Sequence, residues 1–559
     1  MKTFNGLIDF FLKVLVITNL WIILFTNSLT YLSFLYPPII KEHLLRNIAF
    51  PNPFKIPLYI VMTLISVTVI WVVQKLCSIN LRVSIFLKLP LLILLCLLFL
   101  SKLGIYPMAG DIFPYTIRAD TSIYSITIGL FLVLIAFITI QFAVVSTLIR
   151  KNPVYSLFLF GFLIIIVAFF TFEPGFPLSG HDYSFFFGPI LEIAKGKTIY
   201  TDIPIQHGFL SILTFTLFYK LNLLQLAYLP FFIWLLYIIQ YVLSFFLVYK
   251  LSKSIGFSLI GLFSILILNY FSLSDLPASY PQIGPMRWLA SILAIFLFLR
   301  LKKIDDKRLI FVLPLMSLWL IDAGIALILG YLLTLFFFFI ARLIDLKRVI
   351  KSVVWLLISF SLIFLFITGF HLLFGYKAIN ILNIFHSLQK YASLGIAQLP
   401  IESHTYFWVV MFIYFTGIIY FVAESQQLYA QLILFSANLM LFSSIYYVGR
   451  AHPHNLFNIS LLPILTIFLF LGLLWTKLKS HHLKITFALI CFILFIAYPA
   501  YMRRITMTEM IIVKLKRLTA GNIFKSEMKN ILTKRYSKET QLIINNLKDD
   551  KIAILSLPI

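Results

Sequence analysis

The chain has 559 residues, of which 61% are hydrophobic and 12% are charged, and its formal net charge is +25 at pH 7. A soluble core cannot bury so much apolar surface, so the composition excludes an ordinary soluble domain and predicts an integral membrane protein. The 45 Lys and Arg residues are spread through short connectors between apolar runs, which favours positive cytoplasmic loops and argues against a nucleic-acid partner.

The membrane-spanning segments follow from the apolar runs in chain order. The N-terminal run MKTFNGLIDFFLKVLVITNLWIILF has no small-residue cleavage site and is too long for a signal peptide, so we expect it to remain as the first span. Further runs approach the ~20 residues needed to cross a bilayer. The candidate spans are 8–31, 54–77, 83–103, 122–149, 154–172, 223–249, 255–272, 286–300, 351–375, 406–424, 428–447, 458–476 and 484–502.

A longer apolar stretch, 309–341, lies between the basic connectors RLKKIDDKR and RLIDLKR. Both connectors favour the cytoplasm, so an even number of crossings must separate them, and we expect a hairpin of two spans with its tip near Asp322. The sequence thereby predicts an all-α polytopic membrane protein with about fifteen transmembrane helices and a cytoplasmic N-terminus.

Changes in composition suggest three regions. They are an N-terminal four-span region, 1–150, a membrane module, 151–502, and a small basic C-terminal tail, 503–559. An odd number of spans places the tail outside, although the basic residues at its start, such as Arg503 and Arg504, are more typical of the cytoplasmic side.

Residues 173–222 form a large loop that the flanking Lys and Arg residues place on the outer side of the membrane. Two segments in this loop, YSFFFGPILEIAKG and GFLSILTFTLFYKL, are too short to span comfortably and have polar ends, so we expect them to form interfacial helices.

Ionisable groups at membrane depth are costly, and they are therefore functional candidates. Four segments at the ends of predicted spans carry such groups. The number of spans between these segments places all four on the outer side of the membrane. They are His181, Asp182, Asp202 and His207 in the large loop; Asp275 and Arg287 around SDLPASYPQIGPMRW; Asp322 at the hairpin tip; and Arg450, His452, His454 and Asn455 in YYVGRAHPHNLFN.

The segment GKTIYTDIPIQHGFL has the form G-x-x-x-Y-x-D-x-x-x-x-x-G-x-L. An outer loop that opens with an aspartate, continues as an aromatic helix and ends in this pattern resembles the first large loop of GT-C glycosyltransferases. The resemblance extends over residues 154–480, and the enzymes concerned are similar to the protein mannosyltransferases and the aminoarabinose transferases of lipid A. The segments GPMRW, LWLIDAGIAL and GRAHPHNL resemble family-typical positions more loosely. Many relatives have Tyr-Gly-Pro-Leu or Pro-Pro-Leu where this chain has QHGFL, so His207 departs from the pattern.

The resemblance implies a polytopic enzyme that moves a sugar from a polyprenyl-phosphate or polyprenyl-diphosphate donor to a hydroxyl of a glycan, lipid or protein acceptor. We expect it in a bacterial plasma membrane, surrounded by membrane lipid, with its active site facing the periplasm or exterior. The resemblance predicts no specific cofactor, and a divalent metal stays an alternative.

The donor of such a transfer already carries a phosphate leaving group, so the enzyme needs a base for the acceptor hydroxyl and cations for the phosphate. The resemblance places the catalytic acidic residue at Asp182, and a partly desolvated carboxylate is a stronger base. The alternative is that Asp182 caps the helix that starts at Tyr183. Asp202 is expected to position the acceptor or the sugar, or else to form an Asx-turn before Pro204.

The leading candidate for the phosphate is Arg450, because its planar guanidinium can bind two oxygens at once. His452, His454 and Asn455 lie beside it as further substrate-binding candidates, as His207 does in the first loop. The alternatives for this segment are a zinc site made from the two histidines and an aspartate, or a plain polar loop.

Two further candidates each have a second interpretation. Arg287 is expected to bind phosphate or to extend toward a lipid headgroup. Asp322 is expected to be a second acidic site residue or a turn residue.

Two other classes of protein remain as alternatives, a cell-envelope polysaccharide polymerase or flippase and a secondary transporter. Transporters usually place ionisable groups at mid-span on broken helices and often contain inverted repeats, whereas the candidates here cluster at span ends. The aspartate in the first outer loop favours a transferase over a polymerase or flippase.

Overall fold

The computed structural model describes residues 4–35, 54–76, 85–104, 122–149, 153–172, 180–205, 208–224, 229–272, 283–393 and 399–519. Within these residues the chain is almost entirely helical, no β-strand occurs, and one isolated bridge joins Ile199 and Ile203. This confirms the predicted all-α class. Helices suit an apolar chain because every backbone N–H and C=O is then hydrogen-bonded within its own segment.

Seven helices occupy the described residues up to Lys220. The first five are long and apolar, and the next two lie in the predicted outer loop, where the sequence predicts short helices. They are α1 (Phe4–Leu35), α2 (Lys55–Leu76), α3 (Ile85–Ser101), α4 (Ser122–Ile149), α5 (Pro153–Thr171), α6 (Gly180–Ala194) and α7 (Leu210–Lys220).

The remaining helices form the rest of the bundle, and two of them are extended by π-helical turns at Leu266–Tyr270 and Ile493–Ala497. They are α8 (Leu229–Ser252), α9 (Ile255–Ile265), α10 (Pro285–Leu301), α11 (Lys307–Trp319), α12 (Ile321–Ile340), α13 (Leu346–Leu373), α14 (Ile381–Ser393), α15 (Phe407–Glu424), α16 (Leu428–Ser443), α17 (Ile445–Arg450), α18 (Pro453–Ile459), α19 (Leu461–Lys477), α20 (His481–Phe492), α21 (Tyr498–Met502) and α22 (Arg504–Thr519).

Among the described residues, eight helical segments are long and apolar enough to cross a membrane, and a ninth results if the bent pair α18 and α19 counts as one span. The chain is therefore a polytopic membrane protein by architecture, whereas the predicted number of about fifteen spans is not confirmed. The eight are Asn5–Leu35, Lys55–Val72, Leu229–Ser252, Ile321–Ile340, Leu346–Leu373, Phe407–Glu424, Leu428–Arg450 and His481–Met502.

Helices α11 and α12 form the predicted hairpin. The Tyr331 hydroxyl, in the middle of α12, donates to the Ile304 carbonyl just before α11. At the tip, a Cβ on Gly324 would lie 1.9 Å from the Ser317 carbonyl oxygen, so only glycine allows this approach. However, α11 has 13 residues and is about 20 Å long, shorter than the ~30 Å hydrocarbon core that a separate span must cross.

The two basic connectors of this hairpin meet at one end of the bundle, which we call the connector end. Arg348, at the start of α13, donates from Nε to Oδ2 of Asp305 at 2.7 Å, and so joins the connector after α12 to the one before α11. The hairpin tip with Asp322 lies at the opposite end, which we call the site end. This arrangement agrees with the prediction that both connectors lie on one side.

The beginning of the C-terminal tail lies at the site end, because α22 is fixed there by two buried cations. Arg503 donates to the Ser272 carbonyl at 2.7 Å, after the π-helical turn that follows α9. Lys514 donates to the Phe170 carbonyl at 2.7 Å, in the last turn of α5. Cations are favourable at helix C-termini, where carbonyls lack helical partners. These bonds account for basic residues at an end where sequence rules predict few of them.

Candidate functional site

A buried ion pair joins the first turns of α10 and α12 at the site end. Arg287 Nη2 lies 2.7 Å from Asp322 Oδ2, and the arginine side chain is 1% exposed while the aspartate side chain is 33% exposed. The other carboxylate oxygen of Asp322 accepts from the Ala323 backbone N–H at 2.9 Å. Asp322 is thus a partly exposed carboxylate that holds a fully buried cation, rather than a turn residue alone.

Tyr446 connects this ion pair to Arg450. The guanidinium carbon of Arg287 lies 4.2 Å from the centre of the Tyr446 ring, and that of Arg450 lies 5.9 Å from it. Tyr446 precedes Arg450 by four residues, the spacing that places two side chains on the same helix face. Two predicted site residues from separate loops are therefore brought together by one aromatic ring.

The half-buried guanidinium of Arg450 forms no hydrogen bond or ion pair with any residue that the structure describes. Its backbone is fixed, because the Arg450 carbonyl accepts from the Leu399 N–H at 2.8 Å and Ala451 ends the helix with a positive φ of 53°. Among the described side chains of the cluster, Arg287 and Asp322 cancel in charge, and Arg450 adds one positive charge. Such a cluster is suited to an anion.

The segment after Arg450 packs against the start of α10. The imidazole rings of His452 and His454 are half-buried, with their centres 5.2 Å apart. Asn455 is 1% exposed, and its Oδ1 accepts from Asn458 Nδ2 at 3.0 Å, while its own Nδ2 has no partner among the residues that the structure describes. Trp288, next to Arg287, donates from its indole to the Asn458 carbonyl at 2.6 Å. The described residues thus leave one buried amide donor of this loop unsatisfied, five residues after Arg450.

Of the side chains that could bind a metal ion, the contacts described in this segment bring together only His452 and His454. Across the described portions of the chain, no group of three or more His, Cys, Asp or Glu side chains is close enough to hold a metal ion. Zinc sites in proteins use three or four protein ligands, so the described residues supply fewer than that at His452 and His454.

The Asp202 carboxylate is bound on one side by the outer loop and on the other by the segment after α13. Its Oδ1 lies 2.7 Å from Lys377 Nζ, and its Oδ2 accepts from the Thr198 backbone N–H at 2.9 Å. The hydrogen bond from Lys377, followed by that from Thr198, lowers the pKa of Asp202 below its ordinary value. The carboxylate therefore closes a turn with a residue four positions earlier, and its predicted role in binding substrate stays a prediction.

Other predicted site residues are less well described. Asp182 and His181 lie in the first turn of α6, but their side chains are outside the described residues. His207 and Asp275 lie outside the described residues altogether. The roles predicted for all four stay predictions.

Three residues of the candidate site were not predicted from the sequence, namely Tyr446, Trp288 and Asn458. The sequence contains a pattern that could have predicted Tyr446, because an aromatic residue four positions before an arginine on a helix favours stacking. Trp288 follows Arg287 directly, whereas Asn458 has no local signal that separates it from other polar residues of a span.

Comparisons with known proteins identify no relative. No family model matches the chain, and neither the curated proteins nor the solved structures contain a match to it.

Proposed function

We propose that this protein is a membrane glycosyltransferase of GT-C type, which transfers a sugar from a polyprenyl-phosphate or polyprenyl-diphosphate donor to an acceptor hydroxyl. The observation that carries the proposal is the half-buried Arg450 guanidinium beside the Arg287–Asp322 ion pair, with Tyr446 between the two arginines. A phosphate with two free oxygens matches the two-pronged set of donors on an arginine.

In the proposed reaction, Asp182 takes the proton of the acceptor hydroxyl as the acceptor oxygen bonds to the anomeric carbon of the sugar. The bond from that carbon to the phosphate oxygen breaks, and its electron pair leaves with the polyprenyl phosphate or diphosphate. Arg450 binds the phosphate oxygens and stabilises the charge that develops on them. The neighbouring Arg287 is paired with Asp322, so in this proposal Arg450 is the cation that meets the phosphate.

The proposal includes an outward-facing site end and more crossings than the eight or nine found among the described residues. Contacts between chain segments support it, because they place the ends of shorter apolar helices beside the ends of long ones. For example, the Thr405 N–H before α15 donates to the Lys102 carbonyl after α3 at 2.9 Å. The membrane is proposed to be a bacterial plasma membrane, with the site end at the periplasmic or exterior surface.

A purified, reconstituted protein supplied with a polyprenyl-phosphate sugar and a hydroxyl acceptor distinguishes the function classes. A transferase increases the acceptor mass by one sugar residue and releases the lipid phosphate, which mass spectrometry detects. A flippase or secondary transporter changes the location of a substrate and leaves both masses unchanged. A polymerase lengthens a glycan by repeat units that were assembled beforehand.

The phosphate role of Arg450 is tested by Arg450→Lys, with binding of polyprenyl monophosphate measured by native mass spectrometry. We expect affinity to fall about ten- to a hundredfold, because losing a charge-assisted hydrogen bond costs roughly 1.5–3 kcal/mol. Arg504→Lys is the matched control, because Arg504 is also stacked on a tyrosine, at 4.6 Å from the Tyr501 ring, in the tail helix.

A chelator should leave activity largely unchanged under this proposal. If His452 and His454 instead hold a catalytic metal, chelation should abolish activity, added divalent metal should restore it, and Arg450→Lys should have a small effect. That pattern of results would contradict the assignment of Arg450 to the phosphate.

A further inference from the structure

A deep groove opens between α5, α8 and α10, away from the candidate site. Its volume is about 1120 Å³, which exceeds the ~300–1,000 Å³ of ordinary small-molecule pockets. The walls are apolar and include Phe160 and Ile164 of α5, Val242 and Phe246 of α8, and Phe296 of α10. A groove of this size and polarity would accommodate hydrocarbon chains rather than a polar solute.

The groove has the depth of a single membrane leaflet. On α8 its lining extends from Ile238 to Lys250, a rise of about 18 Å, compared with roughly 15 Å for half of the ~30 Å hydrocarbon core. It ends at the connector end, because Lys302, which also lines it, begins the connector that the Asp305–Arg348 ion pair joins to the other one. The groove therefore belongs to the leaflet opposite the site end.

Uncompensated positive charge surrounds the mouth of the groove. Lys250, Arg300 and Lys302 line it and are exposed, and none of them forms an ion pair with a described residue. The fourth cation, Arg308, is different, because both carboxylate oxygens of Asp306 accept hydrogen bonds from its guanidinium at 3.0 Å. The mouth thus carries a positive charge above an apolar cleft.

From this combination we infer that the groove binds an anionic diacyl phospholipid of the leaflet at the connector end. Its acyl chains occupy the cleft between α5 and α10, and its phosphate headgroup lies among Lys250, Arg300 and Lys302. Basic pockets between membrane helices recognise anionic headgroups in this way, and apolar walls supply the burial of the chains. The site is separate from the proposed sugar transfer, which takes place at the other end of the bundle.

The experiment titrates the purified full-length protein in detergent with phosphatidylglycerol or phosphatidylcholine of identical acyl chains and counts retained lipids by native mass spectrometry. The wild type should retain one phosphatidylglycerol in preference to phosphatidylcholine. The triple variant Lys250→Gln, Arg300→Gln and Lys302→Gln should bind it about a hundredfold more weakly, since each of the three cations near the headgroup contributes about a fivefold factor.

Two further variants serve as controls. The first tests whether any loss of positive charge weakens lipid binding, and the second tests whether the acyl chains lie in the groove. The control Lys347→Gln, Lys351→Gln and Lys479→Gln removes three exposed positive charges elsewhere and should leave retention unchanged. Ile239→Trp, at a groove residue that is 46% exposed, should fill the cleft and reduce retention while the basic mouth stays intact. Equal retention of the two lipids, equal loss in both triple variants, or full retention by Ile239→Trp would each overturn the inference.

Discussion

The two ends of the helical bundle both carry many cations, but they hold them differently. At the site end, Arg287, Arg503 and Lys514 are buried and bonded to a carboxylate or to backbone carbonyls. At the connector end, Lys250, Arg300 and Lys302 are exposed and have no described ion-pair partner. Counts of Lys and Arg alone therefore mislead at the site end, because the enclosed cations there are stabilised by a carboxylate or by carbonyl dipoles, whereas the exposed ones agree with the positive-inside rule.

This contrast indicates different uses of charge. A buried guanidinium is held in one orientation by its partners, so it can present a fixed electrostatic field to a ligand at small reorganisation cost. An exposed lysine keeps its side-chain freedom and acts mainly as a mobile charge near lipid headgroups. We therefore expect single changes at the site end to alter stability or chemistry strongly, and single changes at the connector end to have small effects.

The largest expected effect is that of Asp182→Asn on sugar transfer. Removing the basicity of a general base should lower turnover by about 10²–10⁴-fold, with donor binding largely kept because the side-chain size is conserved. The matched control is Glu192→Gln, which changes an acid in the last turn of the same helix that is paired with Lys197. Near-normal transfer by Asp182→Asn, measured with the purified variant, would return Asp182 to a capping role.

The next effect concerns the stability of the Arg287–Asp322 pair. Asp322→Ala should lower the free energy of unfolding by about 3–5 kcal/mol, because it removes the carboxylate that pairs with a fully buried guanidinium. Arg287→Gln should cost less, because the carboxylate left behind is 33% exposed and can be solvated. Unfolding in mixed detergent micelles measures both values.

The double variant Arg287→Met with Asp322→Ala provides the control for this asymmetry. It should recover part of the loss seen in Asp322→Ala, since no buried charge remains. If Arg287→Gln proved the more damaging of the two single changes, the charge of the arginine would not be what the aspartate stabilises.

The smallest of these effects compares two lysines on one helix. Lys514→Gln should destabilise the protein by about 1–2 kcal/mol, because it removes a cation from the C-terminus of α5. Lys516→Gln changes an exposed lysine two residues later and should alter stability by less than about 0.5 kcal/mol. Thermal unfolding of the two variants tests the difference, and equal effects would show that docking of α22 does not depend on the buried cation.

Several features of the fold could be predicted because their causes are local. The helical class follows from apolar runs, and the break near Asp322 follows from two basic connectors that both favour one side of the membrane. The grouping of Arg287, Asp322 and Arg450 at one end follows from the same parity argument. In contrast, the sequence does not predict that α11 is short. Hydropathy defines the ends of the apolar stretch 309–341, but it does not define the residue at which the chain reverses direction.

Within the candidate site, the sequence by itself determined which charged residues lie at the ends of apolar helices, since chain order and sidedness depend on composition. Only the tertiary structure decided their partners. Arg287 and Asp322 are 35 residues apart in sequence, Lys377 and Asp202 are 175 apart, and Tyr446 contacts both arginines of the site. Such pairings depend on how helices are packed and rotated about their axes, and packing is set by contacts summed over the whole bundle rather than by any local pattern.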